Sequence, residues 1–144
     1  MRVFCALILI AWTGLARAEA AKTIRLPSGL EIYDLRGEWD ALIEPDGQTA
    51  AYTNIVEITV RGASCPVTGQ LTEPVFITGV RLKADAAAAG SEMIRGELEE
   101  KGFARLEIIG GEGKVFPSKG KISADGNKIV IEAPGYGKLT LRRK

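Results

Sequence analysis

The chain has 144 residues and a formal net charge of +1, and it contains two cysteines and no histidine. Without histidine it lacks the usual general base of Ser-His-Asp and Cys-His catalysis and the commonest zinc ligand. Basic and acidic residues are interspersed along the chain, which argues against the basic stripe of a nucleic-acid-binding protein.

The first residues have the order of a cleavable signal peptide. Met1-Arg2 gives a short positive start, an apolar run covers residues 3–12, and residues 16–18 form a small-x-small cleavage site. The apolar run is about half of the roughly 20 residues that a membrane span needs, so we expect no stable membrane anchor. We predict a signal peptide over residues 1–18, cleaved after Ala18 or alternatively after Ala20, and a periplasmic or secreted protein.

Cleavage would change the composition of the mature chain. Removing Arg2 and Arg17 reduces the 19 basic residues to 17 against 18 acidic ones, a net charge of −1. Removing Cys5 leaves Cys65 alone, so an intrachain disulfide is impossible. We interpret Cys65 as a small, partly buried side chain, the alternative being a reactive or intermolecular thiol.

From residue 39 onward, apolar and polar residues alternate in short runs separated by turn sequences. Pro45-Asp46-Gly47, Lys101-Gly102 and Asp125-Gly126-Asn127 are typical hairpin turns. This pattern predicts an all-β fold, a single antiparallel meander barrel of about eight strands, because closure removes exposed sheet edges. The predicted inward residues are Trp39, Ala41, Ile43, Val56, Ile58, Val60, Phe76, Val80, Leu82, Ile94, Leu98, Ala104, Leu106, Ile108, Ile129, Ile131, Leu139 and Leu141.

The predicted organisation has three parts: the signal peptide over residues 1–18, a leader with the first strands over 19–36, and the barrel domain over 37–144. Residues 84–90, with four consecutive alanines, are predicted to form a connection or one or two helical turns. Such a segment could also cover the mouth of a barrel.

Catalysis is not expected from the remaining residue types. Ser118 and Lys119 are sequence neighbours that would point to opposite faces of a strand, which does not suit a Ser-Lys pair. Glu97 and Glu99 fall on the predicted solvent face, and Glu100 falls in a turn. We therefore predict a non-enzymatic protein with no metal site and no cofactor.

Large side chains on the predicted inner face are the candidates for binding. They are Trp39, Tyr52 and Phe76, with Asn54 as a polar neighbour. In a small barrel such side chains either fill the interior or line a cavity for one apolar ligand.

Gly37-Glu38-Trp39 opens the first predicted barrel strand, and Gly-x-Trp at this place resembles the lipocalin and wider calycin pattern. The resemblance covers residues 37–144 and implies that the tryptophan closes the barrel floor. It also implies that an arginine near the last strand, Arg142 or Arg143, packs across the tryptophan. The chain is also similar to small exported bacterial proteins of unassigned function in residues 37–41, 52–54, 94–98 and 119–129, which implies export and an all-β fold.

Two hypotheses for function follow. The first is an exported, non-enzymatic binding protein that holds a small apolar ligand in the barrel, with Trp39, Tyr52, Asn54 and Phe76 as lining residues. The second is an interaction or inhibitor-type protein with a filled core that binds a protein partner in the cell envelope. Neither hypothesis includes nucleic acid as a partner.

Overall fold

A computed structural model describes residues 22–47, 50–62, 71–82, 90–110 and 112–144. The predicted signal peptide, Cys65 and the four alanines lie outside the described residues. The strands are β1 (Thr23–Arg25), β2 (Glu31–Tyr33), β3 (Gly37–Pro45), β4 (Tyr52–Gly62), β5 (Val75–Arg81), β6 (Glu92–Glu99), β7 (Gly102–Ile109), β8 (Val115–Pro117), β9 (Lys119–Ile122), β10 (Lys128–Ala133) and β11 (Gly137–Arg143).

Nine strands form one antiparallel sheet in the order β8-β7-β6-β5-β4-β3-β11-β10-β9. Strands β8 and β9 are two halves of one extended segment divided at Ser118. The first half pairs with β7 through Phe116↔Ile108, and the second pairs with β10 through Gly120↔Ile131. This single segment nearly closes the sheet, which confirms the predicted all-β barrel.

The barrel is not hydrogen-bonded all the way round. Ser118 donates its backbone N–H to the Leu106 carbonyl at 2.9 Å, and below that point the pairing of β7 with the closing segment ends. Phe103 and Leu106 lie against Gly120 there, so tightly that a Cβ on Gly120 would collide with Leu106. Between β7 and β9, side-chain packing therefore takes the place of backbone hydrogen bonds.

The alternating pattern puts one face of each strand inside. Along β3, Trp39, Ala41 and Ile43 are buried while the residues between them are exposed. Trp39 lies opposite Val56 on β4 in the sheet register, so the inward faces of neighbouring strands coincide. Fully buried β-branched and leucine side chains make up most of this interior, as expected for a half-buried sheet.

A separate two-stranded sheet, formed by β1 and β2, contributes to the same core. Ile32 and Leu35 are 0% exposed and Leu26 is 3% exposed. Residues Asp34 to Gly37 lead directly from this hairpin into β3, next to Trp39. The hairpin thus supplies the apolar material of one barrel end, which we call the floor.

The predicted inner face of β5 is wrong. The residues predicted to point inward are on the other face or at its end: Phe76 and Val80 are half-buried, and Leu82 is 39% exposed. Arg81 lies between Val80 and Leu82, so the predicted alternation places it in solvent, but it is 6% exposed. The register with β4 sets this parity, because the inward Val56 pairs with Arg81. The prediction placed the charged Arg81 in solvent, and this choice assigned the residues of β5 to the wrong faces of the strand.

A similar correction applies at the start of β7. Leu106 and Ile108 are buried as predicted, but Ala104 is exposed. The pairing with β6 has an irregularity between Glu97 and Leu98, and this bulge breaks the alternation before Leu106.

Candidate functional site

The described inward side chains pack closely in the barrel interior. Trp39, Ile43, Ile108 and Leu139 are each 0% exposed, and Ile77 is 1% exposed. Side chains around a cavity large enough for a ligand would keep accessible surface on the cavity side. At these positions the interior of the barrel is therefore occupied by the protein's own side chains.

Trp39 lies at the floor, where each part of its ring is engaged. Its indole Nε1 donates a hydrogen bond to the Leu35 carbonyl at 2.9 Å. The guanidinium carbon of Arg143 lies 4.4 Å from the ring centroid, within range of a cation–π interaction. The feature implied by the lipocalin resemblance is thus present, and the arginine is Arg143.

Arg143 is held by oxygens from two segments that meet at the floor, the residues before β3 and the turn between β9 and β10. Its Nη2 donates to the carbonyls of Asp34 at 2.9 Å and Gly126 at 2.8 Å, and its Nε donates to Asn127 Oδ1 at 3.0 Å. Burial lowers the pKa of Arg143, while the nearby carboxylates of Asp34 and Asp125 act in the opposite direction. The floor therefore contains a fixed cation with nearby negative charge.

Arg142 has a different environment from its neighbour. It points to the outer face, is exposed, and lies opposite Asp40 on β3 and Lys128 on β10. Alternation along β11 separates the two arginines, so that only Arg143 reaches the tryptophan.

The four candidate binding residues do not form one group. Tyr52 and Asn54 lie on the inner face of β4, opposite Ile43 and Ala41, near the end of the barrel away from the floor. Trp39 lies deeper at the floor, and Phe76 is on the outer face of β5. We call the end that holds Tyr52 the open end.

Tyr52 and Asn54 differ in accessibility. Asn54 is 6% exposed and its Oδ1 accepts a hydrogen bond from the Ile55 backbone at 2.8 Å. Tyr52 is 46% exposed, and its hydroxyl lies 3.4 Å from the hydroxyl of Tyr136. Tyr52 is therefore the accessible member of this pair.

Arg81 is a buried residue that sequence reasoning missed. Its Nη1 donates to Ser91 Oγ at 2.9 Å and to the Glu92 carbonyl at 3.0 Å, and its Nη2 donates to the Ile109 carbonyl at 2.8 Å. These bonds join the ends of β5, β6 and β7. The sequence contained a signal for this burial. Val75 and Ile77 are apolar and lie an even number of positions from Arg81, which places all three side chains on the same, inward face of the strand.

Tyr136 lies beside Arg81 and Tyr52. Burial raises the pKa of Tyr136 to about 12, and the hydrogen bond and charge of Tyr52 act in the same direction, while the Arg81 guanidinium opposes them. The Tyr136 ring packs on Phe116 with centroids 5.3 Å apart. Tyr136 is therefore a protonated hydroxyl at neutral pH. We call Arg81, Tyr52 and Tyr136 the open-end cluster.

Three grooves lined by described residues lie on the outer surface. One of about 730 Å³ follows the seam between β7 and β9, one of about 450 Å³ crosses β3, β4, β10 and β11, and one of about 390 Å³ lies at Pro117 and Pro134. Val130 borders the two larger grooves, so they adjoin across β10. We call this continuous region, over β9, β10, β11 and β3, the outer face.

The outer face gathers charges that are scattered in the sequence. Glu132 is the single acidic residue in β9, β10 and β11, whereas β3 contributes the exposed Glu38, Asp40 and Glu44. Lys128 and Arg142 are direct cross-strand partners, although like charges directly opposite destabilise a sheet. The outward cations of these strands are Lys119, Lys121, Lys128, Lys138 and Arg142.

Within the described ranges, no three His, Cys, Asp or Glu side chains are grouped to hold a metal ion, and no helix is long and apolar enough to cross a membrane. No family model, curated protein or solved structure matches the chain.

Proposed function

We propose that this chain is an exported, non-enzymatic interaction protein of lipocalin-like architecture that binds a protein partner in the cell envelope through its outer face. The observation that carries the proposal is the filled interior. Trp39, Ile43 and Leu139 are inaccessible, whereas the described grooves of 390 to 730 Å³ are on the outside. A barrel with inaccessible interior side chains and grooves on its outside is suited to binding through its outer surface.

The outer face has the composition of a docking surface. Leu42 is 39% exposed, and Val130 and Ile55 lie half-buried in the grooves beside it. This apolar centre is bordered by Lys128, Lys138 and Arg142 and by one carboxylate, Asp40, which lies opposite Arg142. A partner that brings further carboxylates would offset the repulsion between Lys128 and Arg142. We therefore expect the complementary surface to be acidic with apolar residues at its centre.

The competing hypothesis is an apolar ligand inside the barrel. It requires volume at positions where side chains now pack, and Phe76 would have to contribute from the outer face. It remains an outcome of the experiment below.

The experiment uses the charge reversal Lys128→Glu. This change should stabilise the folded protein by about 0.2–1 kcal/mol, because the introduced carboxylate would face Arg142 across the strands. The same change should weaken capture of the envelope partner, because it removes positive charge from the outer face. Opposite effects on folding and binding would separate the interaction surface from the scaffold.

The matched control is Arg61→Glu, which reverses an exposed charge on β4 where the strand pairs with β5 at Phe76. Purified wild-type and variant proteins are crosslinked in envelope extract, and captured proteins are quantified by mass spectrometry alongside thermal melts. A partner retained equally by wild type, Lys128→Glu and Arg61→Glu would contradict the proposed surface. A stoichiometric apolar molecule that co-purifies with the protein would favour the competing hypothesis.

A further inference from the structure

We propose that the open-end cluster of Arg81, Tyr52 and Tyr136 binds a carboxylate group. This site is separate from the outer face, and its proposal holds whether or not the protein partner exists. The carboxylate could belong to a free organic acid or to an acidic residue of a protein, and the experiment separates these sources.

Arg81 brings a buried positive charge to the open end. Arg81 is 6% exposed, and its hydrogen-bond acceptors on Ser91, Glu92 and Ile109 are a hydroxyl and two carbonyl oxygens, all neutral. A cation withdrawn from water is costly unless a negative charge compensates it. The ion pairs formed within the described part of the chain use the basic residues Arg25, Arg36, Arg95, Lys101 and Lys144.

The open-end cluster also has hydrogen-bond donors that a ligand could use. A guanidinium has five N–H groups. Among the described residues three of those on Arg81 go to the acceptors just named and a further one goes to the Tyr136 hydroxyl, which leaves one for another oxygen. The hydroxyls of Tyr52 and Tyr136 are 3.4 Å apart, and only one of them can donate to the other. The second hydroxyl keeps its proton for another acceptor.

Tyr52 makes the open-end cluster accessible from solvent. Tyr52 is 46% exposed and shares its hydroxyl contact with the half-buried Tyr136. An acceptor that approaches along Tyr52 would meet the tyrosine hydroxyls first and the guanidinium behind them. A carboxylate suits this arrangement because its two oxygens can accept from a hydroxyl and from a guanidinium at the same time.

The ring surfaces beside the cluster favour an acid that carries some apolar character. Phe116 packs against Tyr136 on one side, and the Lys114 ammonium lies 5.2 Å from the Phe116 ring centroid. A second cation thus lies near the rim. Together with Arg81 it favours entry of an anion over a neutral molecule.

The test is an NMR titration of the isotope-labelled protein with three probes. They are sodium hexanoate, an N-acetylated and C-amidated peptide with one glutamate, and hexanol as the uncharged control. We expect saturable shifts of the Arg81 Nε–H and of the Tyr52 and Tyr136 ring signals with at least one carboxylate and none with hexanol. Hexanoate binding would identify a free acid as the source, and binding of the peptide alone would identify a protein carboxylate.

Variants assign the effect to the cluster. Tyr136→Phe and Tyr52→Phe retain ring packing and remove one hydroxyl each, and we expect each to weaken binding by about three- to tenfold. Arg81→Lys should weaken it by about tenfold or more because a lysine cannot reproduce the two-pronged geometry. The control Arg105→Lys, at an exposed position on β7, should leave the affinity unchanged.

Two results would overturn the proposal. One is the absence of saturable shifts at the cluster with either carboxylate. The other is binding that the two tyrosine variants leave unchanged, and these variants keep the test decisive even if Arg81→Lys fails to fold.

Discussion

The two ends of the barrel each contain a buried or half-buried arginine, and the surroundings of these arginines differ. At the floor, Arg143 packs on Trp39, binds oxygens from two segments and has Asp34 and Asp125 nearby. At the open end, Arg81 binds neutral oxygens and lies beside tyrosine hydroxyls.

The difference indicates which end stabilises the fold and which can interact. The β1/β2 hairpin and the segment that follows it contribute Ile32 and Leu35, both fully buried, to the core beside the floor. Tyr52 at the open end remains 46% exposed. Substitutions at the floor should therefore reduce stability, and substitution of the exposed Tyr52 at the open end should have a small effect on folding.

Trp39→Ala should have the largest effect. It removes a fully buried ring, a hydrogen bond to Leu35 and the surface on which Arg143 packs. We expect a loss of about 3–5 kcal/mol in the free energy of unfolding, measured by urea denaturation. The matched change at the open end, Tyr52→Ala, should cost about 1 kcal/mol or less, and equal losses in the two variants would contradict the distinction between the ends.

Arg143→Met should have the next largest effect. It keeps an unbranched side chain over Trp39 but leaves the carbonyls of Asp34 and Gly126 without their donor. We expect a loss of about 2–4 kcal/mol in the free energy of unfolding, again measured by urea denaturation. Arg142→Met, one residue away on the outer face, is the control and should stay within about 0.5 kcal/mol of wild type.

Tyrosine titration gives the smallest and most local effect. Because burial raises the pKa of Tyr136 to about 12, its protonated form is favoured in the folded state, and the associated stability is lost as the pH rises through that value. In an absorbance titration of the folded protein, we expect one tyrosine to ionise near pH 12, and Tyr136→Phe should remove that phase. A titration in which the phase persists in the variant would show that the assignment to Tyr136 is wrong.

Sequence alone predicted the barrel because the strands with strict alternation, such as β3 and β11, have their parity set by local residues. It misassigned β5, where Phe76 is the large apolar residue and Arg81 the charged one, but the register with Val56 turns Arg81 inward. Tertiary pairing overrides hydropathy at such a position.

The outer face and the open-end cluster could not be predicted for a related reason. Lys128 and Arg142 are fourteen positions apart in sequence and become direct partners through the β10/β11 hairpin register. Tyr52 and Tyr136 meet only because β11 joins β3 and so brings distant parts of the chain together. Contacts of this kind depend on long-range strand order, which alternation does not encode.

The central claim is that the barrel interior is filled, so that binding takes place on its outer surface and at the open end. Methyl NMR under xenon pressure tests this directly, because xenon enters dry apolar cavities and shifts the methyl signals that line them. We expect the methyl signals of Ile43, Ile108 and Leu139 to shift no more than those of the exposed Leu42. A selective, saturable shift of the interior methyl signals would reveal a cavity and contradict the claim.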